Sequence, residues 1–237
     1  MKLDKQSNTY TVIYIIVMVL VVGTALAFTS LSLRDRQQAN ANADRMRQIL
    51  ASARITAPAD SVLQVFASRI TATPVYNSQG EMTDDDAFSV DVAAQSKLPE
   101  SERQLPVFVC QAADNTTKYI LPLYGAGLWG PIWGYIAFDS DGSTIYGAYF
   151  AHQGETPGLG AEIEKPSFSS QFEGKTMFKG DRFMPVTVVK KGQKPAGGED
   201  YVDGVSGGTI TSKGVAAMID NCLVPYQAFL KSLNTAR

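Results

Sequence analysis

Between Lys5 and Arg34 the chain carries no Asp, Glu, Lys, Arg or His. The centre of this stretch reads VIYIIVMVLVVGTALAF, Val12 to Phe28. At about 1.5 Å per residue, a helix through it crosses a hydrocarbon layer of about 30 Å. A helix that is apolar on every side has no wet face to offer a soluble fold. The expectation is a transmembrane helix over residues 10–32, preceded by a short tail, residues 1–9. A cleavable signal peptide is the alternative, because Ala25-Leu26-Ala27 has the small-x-small form of a processing site. The apolar run exceeds a typical signal core, which favours a retained anchor. Lys2 and Lys5 precede the span, while Arg34, Arg36, Arg45 and Arg47 follow it. Counted locally, these basic residues place the C-terminal part in the cytoplasm, although large domains cross membranes despite such counts.

The rest of the 237 residues can bury a real core. The net charge is −2 with no basic block, which argues against nucleic acid as a partner. One histidine, His152, and two cysteines, Cys110 and Cys222, supply a metal site poorly and rule out an iron–sulfur cluster held within this chain. The cysteines either pair or lie buried as free thiols.

Residues 34–55 read as a helical stalk, with Met46, Ile49 and Leu50 on one face. Together with a mixed connecting region, the stalk fills residues 33–104. Glu81 and Asp84–Asp86 make an acidic cluster that reads as a solvated loop tip. From residue 105 short β-rich runs follow one another: LPVFVC, KYILPLYG, WGYIAFD, TIYGAYFAH and, from Met184 to Lys190, MPVTVVK. Asp139–Gly142 reads as a hairpin loop. From Thr211 apolar residues recur at a helical period, with Thr211 or Ser212 as the cap and Pro225 as a kink or break. The expected fold class is α+β: a single N-terminal transmembrane helix, then a mixed, antiparallel-rich domain over residues 105–237 with a C-terminal helix.

Three stretches could carry chemistry. In VDGVSGGTITSKG, Val202–Gly214, a glycine turn feeds a helix start, where free N–H groups and a partial positive charge suit a phosphate. The spacing is not that of a P-loop, and a capped helix after a flexible turn is the simpler reading of these residues alone. In YGAGLWGPIWGYIAFD, Tyr124–Asp139, both tryptophans stand among glycines, either as a platform for a flat ligand or as core residues of a kinked strand. In HQGETPGLG, His152–Gly160, Thr156-Pro157-Gly158 forms a turn, and His152 and Glu155 are either structural or available for acid–base work.

In this order behind one anchor, the three stretches resemble the FMN-binding domain family of the single-span flavin subunit of the sodium-translocating NADH:quinone oxidoreductase. The related flavin subunit of the Rnf electron-transport complex shares the domain. The family's flavinylation motif is matched by DGVSGGT, Asp203–Thr209, with Gly208 where Ala is commoner. ETPGLG, Glu155–Gly160, is a second signature. GLWGPIWGYIA and the start LSLRDRQ after the span resemble the sodium-pump subunit more than the Rnf one.

The resemblance implies FMN bound covalently through a phosphoester to Thr209. It is joined there by a separate flavin transferase, when the hydroxyl attacks a phosphorus of FAD and AMP leaves. It implies an FMN site around Asp203, Ser206, Gly207, Gly208, Thr211, Ser212 and Lys213, with the ring near Leu128, Trp129, Glu155, Thr156, Gly158 and Leu159 and no metal. The glycines would let the chain enter the transferase in extended form. The role implied is an electron relay from an iron–sulfur centre to another flavin-bearing member of a six-subunit, sodium-pumping membrane complex. The inner membrane, its lipid and the other subunits are then its surroundings, and the domain faces the periplasm. The alternatives are an Rnf-type subunit and a membrane-anchored sensor module without covalent flavin.

Overall fold

One uninterrupted helix, α1 (Asn8–Ser52), runs through both the apolar stretch and the expected stalk in the computed structural model, which describes residues 8–235. Most of the expected tail, residues 1–7 with Lys2 and Lys5, lies outside the described residues. The chain divides into two units, residues 1–45 and 46–237. In the first unit the side chains from Val12 to Leu31 are largely exposed. Among the described residues α1 is the one helix long and apolar enough to cross a membrane. Two of its hydroxyls are satisfied by its own carbonyls: Thr29 Oγ1 donates to Ala25 O at 2.8 Å, and Ser32 Oγ to Thr29 O at 3.0 Å. Such back-bonding lets a hydroxyl sit in an apolar segment without an unpaired donor.

The second unit is built on a five-stranded antiparallel sheet. Its strands are β1 (Ile70–Ala72), β2 (Phe108–Gln111), β3 (Thr117–Ala126), β4 (Pro131–Phe138) and β5 (Ile145–His152), paired in that order. The expected hairpin forms between β4 and β5: Asp139 N donates to Thr144 O at 2.8 Å and Gly142 N to Asp139 O at 3.0 Å. Gly142 has φ +65°, a conformation that a side chain would oppose. Two short strands, β6 (Thr187–Val189) and β7 (Tyr201–Asp203), pair in parallel as a separate small sheet.

The sequence reading placed residues 33–104 outside the FMN-binding domain. In the structure residues 46–104 belong to the same unit as the sheet. A short helix, α2 (Val62–Arg69), leads into β1, which pairs with β2 across nearly forty residues of chain. Trp133 Nε1 donates to Gln48 Oε1 at 2.9 Å, so one of the two tryptophans is tied to the last turns of α1. Such pairings join segments distant in sequence, and local periodicity does not register them.

The core lies between the sheet and the C-terminal helices, with Leu121, Leu123, Ile132, Ile136 and Phe138 meeting Val215, Met218, Ile219 and Leu223. These last belong to α3 (Thr209–Leu223). A 3-10 turn at Val224–Tyr226 holds Pro225 and divides α3 from α4 (Gln227–Thr235), as the proline predicts. The far end of α3 is held by Arg103, which is almost fully buried. Its guanidinium donates to Asn221 O at 2.6 Å, Asn221 Oδ1 at 3.0 Å and Leu98 O at 2.8 Å. A cation there also complements the negative end of the helix dipole. Cys110 and Cys222 are free and buried. Burial pushes Cys110 up to about 11 against the pull of Arg69 and Lys118, and raises Cys222 as well, so both stay thiols.

The N-terminal half of α3 approaches β3 closely. A Cβ on Gly125 would meet Met218 Cβ at 2.7 Å, and one on Gly214 would collide with Ala126 O. Gly→Ala inside a helix ordinarily stabilises by about 1 kcal/mol. Here Gly214→Ala should instead destabilise by about 1–3 kcal/mol through overpacking against backbone. Urea unfolding of the full-length chain in detergent, followed by tryptophan fluorescence, measures the sign.

Candidate functional site

Two loops and the start of a helix meet at one carboxylate. Glu155 is 4% exposed and follows β5 directly. Its Oε1 accepts from Trp129 N at 2.8 Å, and its Oε2 accepts from Thr211 Oγ1 at 2.5 Å. The nearby Leu128 amide also favours its charged form. The glycines around it leave it room: a Cβ on Gly127 or on Gly160 would collide with its carboxylate oxygens. The Glu155 N–H lies 3.1 Å from His152 Nδ1 as its acceptor. Burial opposes ionisation of Glu155. The Thr211 hydroxyl, the Trp129 and Leu128 amides and His152 outweigh it together and hold the carboxyl below its ordinary range.

The loop after Glu155 is a tight turn. Leu159 N donates to Thr156 O at 3.1 Å, with Pro157 second and Gly158 third at φ +76°. This is the residue pattern of a type II turn. A second turn of the same pattern precedes α3, where Gly208 N donates to Val205 O at 3.1 Å and Gly207 has φ +77°. The two turns pack together: a Cβ on Gly207 would meet Leu159 Cδ2 at 2.6 Å, and one on Gly208 would meet Gly160 N at 3.2 Å. Alanine, commoner in the motif at 208, would therefore fit only with a small shift. Gly207 and Gly208 thus form a closed turn in the folded domain.

The helix starts two residues earlier than expected. Its first residue is Thr209 and its N-cap is Gly208, which makes no side-chain cap bond. Thr211 and Ser212 do not cap it, because both hydroxyls serve contacts inward. Thr211 bonds Glu155, and Ser212 Oγ accepts from Val205 N at 2.9 Å. Both residues are buried, whereas Ser206 and Thr209 are exposed. Asp203, the first residue of the motif, ends β7. Its N–H donates to Gln171 Oε1 at 2.9 Å, and Gly192 N donates to its carboxylate at 3.4 Å.

A cavity of about 670 Å³ opens beside this turn, lined by Ser206, Gly207, Thr209, Ser212 and Lys213 together with residues 188–191 and Gln193. The segment from Val188 to Gln193 reads in the sequence only as the end of a strand and not as part of the site, although its two lysines directly after that strand were a signal. Leu128, Trp129, Glu155, Thr156, Gly158 and Leu159 lie outside this lining. Of these loop residues Leu128, Trp129 and Leu159 are exposed, as is Ile210 on α3. Trp129, 69% exposed, is the tryptophan that remains available to a flat ligand.

The favoured ionisation of Glu155 has a pH signature. Its contribution to stability is complete above the unfolded-state value, about 4.3, and is lost as pH falls through the lower folded-state value. Glu155→Gln should cost about 1–3 kcal/mol near neutrality and should flatten the stability profile below about pH 4. Denaturant melts of both proteins between pH 3 and 7 measure this.

The FMN-binding domain family matches residues 127–224, which contain both loops, the turn and α3. The NqrC subunit of the Na(+)-translocating NADH-quinone reductase of Vibrio anguillarum is 36% identical over 193 residues, covering 75% of this chain and 75% of its own length. The NqrC subunit of Pseudomonas aeruginosa is 32% identical over 214 residues, covering 80% and 82%. The crystal structure of the same subunit from Parabacteroides distasonis is similar with a TM-score of 0.78 at 49% identity, over 84% of this chain and 96% of that one. Shewanella oneidensis NqrC is similar with a TM-score of 0.67 at 26% identity, over 81% and 98%. On its apolar helix, its antiparallel sheet, its converging motifs and these likenesses, the chain belongs to the NqrC family of Na(+)-translocating NADH-quinone reductase subunits.

Proposed function

We propose that Thr209 carries FMN through a phosphoester bond, and that the chain relays electrons from a partner's iron–sulfur centre to a flavin in another subunit of the sodium-pumping complex. One observation supports the attachment point above others. Of the four hydroxyls in SGGTITS, two are buried and spent on Glu155 and Val205, while Thr209 is exposed and lines the cavity. Ser206 is also exposed, but the motif position belongs to Thr209. Once bound, the isoalloxazine supplies the redox chemistry, and the protein supplies binding, orientation and electrostatics.

The residues fit such a group. Leu128, Trp129, Leu159 and Ile210 present exposed apolar surface to a flat ring. Glu155 sets the spacing of their loops by holding Trp129 and Thr211 at once. A flavin transferase reaches the Thr209 hydroxyl at the surface of a closed turn. No Asp, Glu, Lys, Arg or His lies within the apolar span, so this helix offers no ion path, and sodium movement belongs to polytopic partners. The soluble unit then works on the periplasmic side, against the local count of basic residues. There a covalent tether keeps a cofactor that would otherwise be lost. Membership of the NqrC family decides against the Rnf-type alternative.

Two experiments test this reading. Protein made in cells that hold the transferase, denatured and run on a gel, should fluoresce under ultraviolet light, and Thr209→Ala should be dark. A dark wild-type band would leave only the sensor-module alternative. For topology, Asn234→Cys places a thiol at an exposed position, while both native cysteines are buried. An impermeant maleimide should label it in intact spheroplasts. Labelling only after lysis would place the domain in the cytoplasm.

A further inference from the structure

β6 and β7 run parallel with Val189 opposite Asp203, and Gly204 N extends the ladder by donating to Val189 O at 2.7 Å. Lys190 and Lys191 therefore leave their strand alongside the segment that leads to Thr209. A Cβ on Gly204 would meet Ser212 Oγ at 3.0 Å and Val189 O at 3.1 Å, so the two segments and α3 close on one another. The cavity between them has the size of a small-molecule site. Its charged lining residues are Lys190, Lys191 and Lys213, with no acid among them. Among the described residues none of the three pairs with a carboxylate. The nearest acid of the motif, Asp203, is engaged by Gly192 N and does not line the cavity.

Three ammonium groups around one concavity repel each other, and an anion between them relieves that repulsion. The apolar loops at 127–130 and 155–160 contribute nothing to the lining. A molecule with an anionic end and a flat apolar end, joined to Thr209, thus has a separate surface for each. We propose that the cavity walled by Lys190, Lys191 and Lys213 is the seat of the flavin's phosphate, and that Lys190 and Lys191 are binding residues for FMN. This rests on the reading of Thr209 given above and extends it to a segment outside the flavinylation motif.

The test uses the full-length chain in detergent, made in cells without the transferase so that Thr209 is unmodified. FMN and riboflavin, which differ by the phosphate alone, are titrated by flavin fluorescence. FMN should bind at least tenfold more tightly than riboflavin, and added salt should narrow the gap. Lys190→Gln combined with Lys191→Gln should bring FMN close to riboflavin without changing riboflavin affinity, and the corresponding double Arg variant should restore the preference. Equal binding of the two flavins, undetectable binding of both, or a preference that survives the double Gln variant would overturn the proposal. Thr209→Ala should keep the FMN preference in this assay. Flavinylation is scored separately in cells that hold the transferase. A modified Thr209 without the FMN preference removes the phosphate seat and leaves the electron-carrier reading standing. An FMN preference with Thr209 unmodified does the reverse.

Discussion

The arrangement of the site depends on the buried carboxylate of Glu155. It accepts from an amide of the 127–130 loop and from a hydroxyl on the first turn of α3, while its own backbone follows β5. A buried acceptor with fewer donors would cost more than it contributes. Here the donors outweigh burial, and the group stays ionised. A single anion thereby joins the end of the sheet, the tryptophan loop and the helix that begins at Thr209. Arg103 performs the matching task at the far end of that helix by capping Asn221. Between these two charged clamps, Gly125 and Gly214 let the helix lie directly against β3.

That fixation explains how one short motif can serve two needs. Thr211 and Ser212 turn inward and hold the turn in place, which leaves Thr209 outward. Thr211, two residues on, faces away from Thr209, and Ser212, three residues on, lines the same cavity but spends its hydroxyl on Val205 N, so on the proposed reading one run supplies both structure and an attachment point. The glycines at 207 and 208 are required by the packing of the turn on Leu159 and Gly160, whatever else they permit. The lysine-lined cavity then opens beside the exposed hydroxyl of Thr209.

Much of this was legible in the sequence. The apolar span is a matter of composition, the strands of β-rich runs between turn residues, and the break at Pro225 of a missing N–H and a ring clash. The attachment motif and the Glu155 loop were legible as words of a family. What escaped depends on contacts between distant residues. β1 joins the sheet only by pairing with β2, so the boundary drawn at residue 105 cut through a folded unit. The helix starts at Thr209 because the neighbouring hydroxyls are drawn to Glu155 and Val205, partners that spacing does not reveal. Glu155 was singled out as a ligand or acid–base residue, and its structural role emerged only with its donors. Lys190 and Lys191 come to Thr209 through a parallel strand pair, which no local pattern announces.

The central claim is that the fold reserves one hydroxyl of SGGTITS for the cofactor. Tandem mass spectrometry of peptides from the full-length chain, purified from cells that hold the flavin transferase, tests it most directly. The account predicts that the flavin phosphate is found on Thr209 alone. The same mass on Ser206, Thr211 or Ser212, or a peptide with no added mass, would contradict it.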